Sequence, residues 1–232
     1  MKTYRKTGTL VGLAYLFSNV TFILGAIVMV ESVIGSPDYL SLISESRSQV
    51  VLGVLLSFAN GLAYVGIAAL LFPILRLHFE SLALAYVCFR VVEFITQILA
   101  DVSLLALLTL VGDTDQTGTV QGLGALLIAE RFWAFQMLNL IFSLSALLLY
   151  FMLLRARLIP RFISVWGLIA AALVLFNTVL GWFSPNLGEA LGMITGFPML
   201  LNEAFLGIWL IVRGFNPPAT AIEPVRQFVL EA

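Results

Sequence analysis

Residues 82–111 read LALAYVCFRVVEFITQILADVSLLALLTLV. About 20 apolar residues suffice for a helix to cross the hydrocarbon core of a bilayer, so a run of this length is predicted to span a membrane. Within it Tyr86, Arg90, Glu93, Gln97 and Asp101 recur at spacings of four, three, four and four. At about 100° per residue they share one narrow helical face. A charge at the centre of a spanning helix costs roughly 2.5–3.5 kcal/mol, and each Leu, Ile, Val or Phe returns only about 0.3–0.6. The stripe is therefore expected to face a bundle interior or a wet cavity, not lipid.

Five further apolar runs lie at about 8–30, 49–73, 132–154, 160–183 and 191–213. The whole chain is 61% hydrophobic and 11% charged, where soluble domains carry about 25% charge. The predicted fold is all-α: a polytopic membrane protein with six transmembrane helices. Residues 1–232 read as a single integral membrane domain that ends in a loose tail, 214–232. Turn formers punctuate the runs: Gly35-Ser36-Pro37-Asp38, Gly112-Asp113 and Ser184-Pro185-Asn186, with Pro160 opening the fifth helix. The segment 39–44 is expected along the outer interface. The first run has no small-residue cleavage site and reads as a retained helix, not a signal peptide.

Basic residues set the expected orientation. With the N-terminus inside, Lys2, Arg5, Lys6, Arg76, Arg155, Arg157, Arg161, Arg213 and Arg226 are cytoplasmic, and only Arg47 and Arg131 are outside. Six helices return the C-terminus to the cytoplasm. Glu130 and Arg131 read as an interfacial pair at a loop–helix junction. The net charge of −1 leaves no basic surface for nucleic acid, which is not expected as a partner. One cysteine, Cys88, and one histidine, His78, supply no metal site, no bis-histidine haem and no histidine triad. No cofactor and no catalytic residue is expected.

The last run adds Asn202 and Glu203 near its middle, one turn beyond Pro198, which is expected to bend the helix. Tyr15 and Asn19 share a face of the first helix, and Ser57, Asn60 and Tyr64 a face of the second. The candidate ligand-binding or ion-pair cluster is Arg90, Glu93, Gln97, Asn202, Glu203, Tyr86, Asn60 and Asn19. Two readings stand side by side. The charges form a functional site within the membrane, or they form a buried ion pair that only holds helices together. Isolated Asn, Gln and Ser residues more often bond helices to one another.

These motifs resemble a bacterial membrane family known only as domain of unknown function 4386. The chain is similar to it from about Arg5 to Gly214. Its basic start and Gly12-x-x-Tyr15-Leu16 fit the family's opening. Phe89-Arg90-Val-Val-Glu93, the Ile159-Pro160-Arg161 loop and Asn202-Glu203-Ala-Phe-Leu resemble later motifs. Where members often carry a fourth-helix histidine, this chain has Ser145 or a neighbour. The resemblance implies a six-helix, multi-pass protein of the bacterial cytoplasmic membrane, and no activity.

The expected function is binding or transport of a small solute, lipid or proton through the mid-membrane Arg/Glu cluster. The alternative is a non-catalytic structural or accessory subunit of a membrane complex. The signatures of intramembrane enzymes are absent from the sequence. The expected partners are the lipid bilayer and a small-molecule ligand or a membrane-protein partner.

Overall fold

A computed structural model describes residues 2–113 and 118–216. Among them every regular element is helical. Helix α1 (Lys2–Phe22) passes directly into a π-helix (Ile23–Glu31) and a last turn, α2 (Ser32–Ile34). A short α3 (Tyr39–Glu45) precedes α4 (Arg47–Asp113), α5 (Gly118–Ala156), α6 (Arg161–Phe183) and α7 (Pro185–Val212).

As a straight rod, the 67 residues of α4 would reach about 100 Å. The helix instead breaks at Phe79, whose backbone is extended at φ −150° and ψ 74°. Residue pairs on either side show what the break does. Gln97 bonds Ser57, Phe94 packs on Phe58 and Gly61, and Arg90 lies over Tyr64. All these pairs are symmetric about residues 76–78, so arms 47–78 and 80–113 run antiparallel. Each arm is roughly 50 Å long, more than the hydrocarbon core demands. Five helical segments are long and apolar enough to cross a membrane; dividing α4 at Phe79 gives the sixth.

The helices are longer than the apolar runs. Helix α5 begins at Gly118, well before the expected 132, and α7 begins at Pro185 with only Ser184 separating it from α6. Helix α7 continues through Pro198. Residues 214–216 are anchored: Gly214 turns with φ 71°, and the Asn216 amides donate to the carbonyls of Leu158 (2.8 Å) and Arg157 (3.0 Å). The rest of the expected tail, 217–232, lies outside the described residues.

Leu10, Phe17, Leu55, Leu99, Phe176 and Met193 are exposed, while Arg90, Glu93 and Asn202 are buried. This is the reverse of a water-soluble protein, and it fits an apolar solvent around the helices.

The chain forms two compact units. Unit 1 comprises residues 1–16, 67–87 and 143–232; unit 2 comprises 17–66 and 88–142. In unit 1, α6 and α7 form a hairpin with Gly181 against Gly188, Phe162 and Trp166 on Phe205, and the Asn202 amide on the Ile163 carbonyl at 3.1 Å. Gly12 meets the Gly207 carbonyl, and Gly8 meets Gly214. Glycines four apart let two helix backbones approach this closely.

In unit 2 the π-helix packs antiparallel to the first arm of α4, Gly25 against Gly53. Gln49 donates to the Met29 carbonyl at 2.9 Å, satisfying backbone where the π-helix gives way to α2. Helix α3 drives Ile43 into a core of Val30, Val33, Val50, Val54, Leu104 and Leu107. That burial explains why the segment 39–44 is apolar.

Candidate functional site: a buried polar string

The second arm of α4 carries its polar stripe along the interior of unit 2. Arg90 is 2% exposed and Glu93 is fully buried. The Arg90 Nη1 donates to both carboxylate oxygens of Glu93, at 3.1 and 3.0 Å. The two residues are one helical turn apart, so the pair closes on its own helix. The guanidinium carbon also lies 5.3 Å from the Tyr64 ring centre and 5.4 Å from that of Phe142. The aromatic faces stabilise a cation that water does not reach.

One turn on, the Gln97 amide donates to the Ser57 hydroxyl at 2.6 Å and, more weakly, to Asp101 Oδ1 at 3.4 Å. The Ser57 hydroxyl in turn bonds Asp101. Asp101 Oδ2 is buried without a hydrogen-bond partner among the described residues. Arg131 acts electrostatically on Asp101. It is 5% exposed, pairs with Glu31 at 3.2 Å and covers the Phe135 ring at 4.4 Å. Glu31, at the end of the π-helix, is half exposed. Gln97, Ser57, Asp101, Arg131 and Glu31 thus form a string of polar groups that ends on an exposed carboxylate, and Glu93 lies one turn before Gln97 on the same helix.

A second group branches from the first arm. Ser18 donates to Asn60 Oδ1 at 2.7 Å, and the Asn60 amide donates to the Tyr64 hydroxyl at 2.6 Å. Tyr64 links this branch to Arg90. Asn19 is buried beside Ser18, its amide nitrogen without a partner among the described residues.

Of the eight expected residues, Arg90, Glu93, Gln97, Asn60 and Asn19 therefore belong to unit 2. Tyr86, Asn202 and Glu203 belong to unit 1, where all three are buried. Sequence reasoning placed Arg131 at an interface with Glu130. The structure sets it within α5, buried, with Glu31 as its partner. A salt bridge across a hundred residues leaves no local spacing signal. Among the described residues no group of three or more His, Cys, Asp or Glu side chains is placed to hold a metal ion.

No curated protein and no solved structure is detectably similar to the chain. The family model described as a domain of unknown function, DUF4386, matches residues 10–214. The match takes in every residue of the string and all of α7, and the chain belongs to that family.

Proposed function

We propose that this protein binds and moves a small solute or a proton across the bacterial cytoplasmic membrane, with the buried string of unit 2 as the path and the proton as its favoured cargo. The observation that carries this reading is Asp101. Its Oδ2 is a buried carboxylate oxygen without a hydrogen-bond partner among the described residues, while Oδ1 accepts from Gln97 and Arg131 acts on the carboxylate electrostatically. A carboxylate with a spare oxygen accepts and releases protons, and Asp and Glu chains within membranes serve as such relays. Glu31 gives the string an exposed end. The basic-residue bias supports cytoplasmic termini, and with that orientation Glu31 is the outer end.

The test is proton flux in proteoliposomes carrying an entrapped pH-sensitive dye. The wild-type protein is expected to dissipate an imposed pH gradient faster than empty liposomes, and Asp101→Asn to abolish the excess flux while eluting and unfolding like wild type. Equal flux with and without protein, or full flux in the variant, overturns the proposal.

A structural or accessory role is the second reading. The Arg90–Glu93 pair favours it, since both charges are satisfied on one helix. No excess flux, together with a partner that co-purifies in mild detergent, supports that reading.

A further inference from the structure

Unit 1 contains a cleft of about 510 Å³ lined by Phe79, Leu154, Arg155, Arg157 and Arg161. Phe79 is the residue at which α4 reverses; Arg155 lies in the last turn of α5, Arg157 in the turn that follows, and Arg161 opens α6. We infer that this cleft binds the phosphate headgroup of an anionic phospholipid.

Three arginines line one space. Among the described residues none of them has an ion-pair partner, and no carboxylate lines the cleft. Arginine presents a planar fork of donors that matches phosphate oxygens two at a time. Clustered cations without counter-charge repel one another, and a bound anion relieves that repulsion.

The fold fixes the backbone of the turn at Arg157 before any ligand arrives. Arg157 has a left-handed backbone at φ 54°, a conformation that is costly without glycine. Its carbonyl accepts from the Asn216 side chain, and the next carbonyl accepts from the Asn216 backbone. The segment just after α7 thus latches the turn in the shape that presents the arginine.

The walls of the cleft select an amphiphile over a free phosphate. The Phe79 ring packs 6.2 Å from Phe151, which is 42% exposed, and Phe162, next to Arg161, is 55% exposed. Apolar surface continues from the cationic cleft onto the sides of helices long enough to span a membrane. A headgroup in the cleft leaves its acyl chains on that surface. Basic pockets at the ends of spanning helices take anionic headgroups by this combination of charge and apolar contact.

Native mass spectrometry of the purified full chain tests the site, with phosphatidylglycerol and phosphatidylcholine as probes. Wild type is expected to retain phosphatidylglycerol in preference to phosphatidylcholine. The triple variant Arg155→Gln, Arg157→Gln, Arg161→Gln is expected to weaken that retention roughly a hundredfold. Arg161→Gln alone should weaken it about tenfold, and serves if the triple variant does not fold. Arg76→Gln removes a basic residue that does not line the cleft and should bind as wild type. Equal retention of the two lipids overturns the inference, as does undiminished retention in the Arg161 variant. An equal loss in the Arg76 variant also overturns it, since diffuse charge then explains binding. Displacement of phosphatidylglycerol by millimolar inorganic phosphate assigns the cleft to free phosphate and overturns the lipid.

Discussion

The Arg131 guanidinium lies 3.2 Å from the Glu31 carboxylate, with the arginine 5% exposed and the glutamate side chain 54% exposed. One partner is buried and the other sits in an open environment, so the two ends of this bond are not equivalent. Removing the glutamate leaves a cation that still has Asp101 and the Phe135 ring. Removing the arginine leaves Asp101 buried without its nearest positive charge. Glu31→Gln is expected to cost less than about 1 kcal/mol, and Arg131→Gln about 3 kcal/mol. Denaturant titration of the purified protein measures both, and equal costs refute the asymmetry.

The Arg90–Glu93 pair makes a sharper prediction. Glu93→Gln removes the carboxylate that takes two hydrogen bonds from a guanidinium 2% exposed, which is expected to cost about 3–5 kcal/mol. Replacing both residues at once, Arg90→Met with Glu93→Leu, removes both members of the pair and should recover most of that loss. A double variant no more stable than Glu93→Gln would show that the aromatic contacts of Arg90, not its ion pair, carry the stability.

Close packing in unit 1 predicts a contrast among glycines. A Cβ at Gly12 would run into the Gly207 carbonyl, whereas Gly66 and Gly122 have open space in that direction. Gly12→Val is expected to destabilise by about 1–3 kcal/mol. Gly122→Ala should be neutral or stabilising by up to about 1 kcal/mol, because alanine favours helix. Thermal unfolding in one detergent ranks the variants, and a Gly12 variant as stable as Gly122→Ala contradicts the packing.

Orientation is open to a labelling test. In a Cys88→Ser background, Asp38→Cys should react with a membrane-impermeant maleimide in intact cells, and Glu80→Cys only after lysis. The reverse pattern inverts the topology.

The apolar runs made the helix count legible, because lipid demands long uninterrupted hydrophobic segments. The stripe from Tyr86 to Asp101 was legible for a related reason: charges survive in such a run only on one face, and the face shows as a period. Ser57, Asn60 and Tyr64 were visible as a face, and Ser57 and Tyr64 do meet Gln97 and Arg90. Other features gave no local sign. The start of α5 was hidden because Gly118, Gly122, Gly124, Glu130 and Arg131 resemble a loop, yet Arg131 finds its counter-charge on a distant element. The π-helix at Ile23–Glu31 is as apolar as any α-helix, so hydropathy does not distinguish it. The cleft at Arg155, Arg157 and Arg161 looked like ordinary cytoplasmic charge, and only the reversal at Phe79 gives it a wall.

That reversal bears on how the protein is made. The arm of α4 that carries Arg90, Glu93 and Asp101 would enter a bilayer alone at a cost of roughly 8–10 kcal/mol for its charges. A single residue separates it from the arm synthesised before it. So short a link favours entry of the two arms together as a helical hairpin. The leading arm already carries the Ser57 hydroxyl and the Tyr64 ring that receive Gln97 and Arg90. The order of synthesis thus delivers the partners first and the charges second.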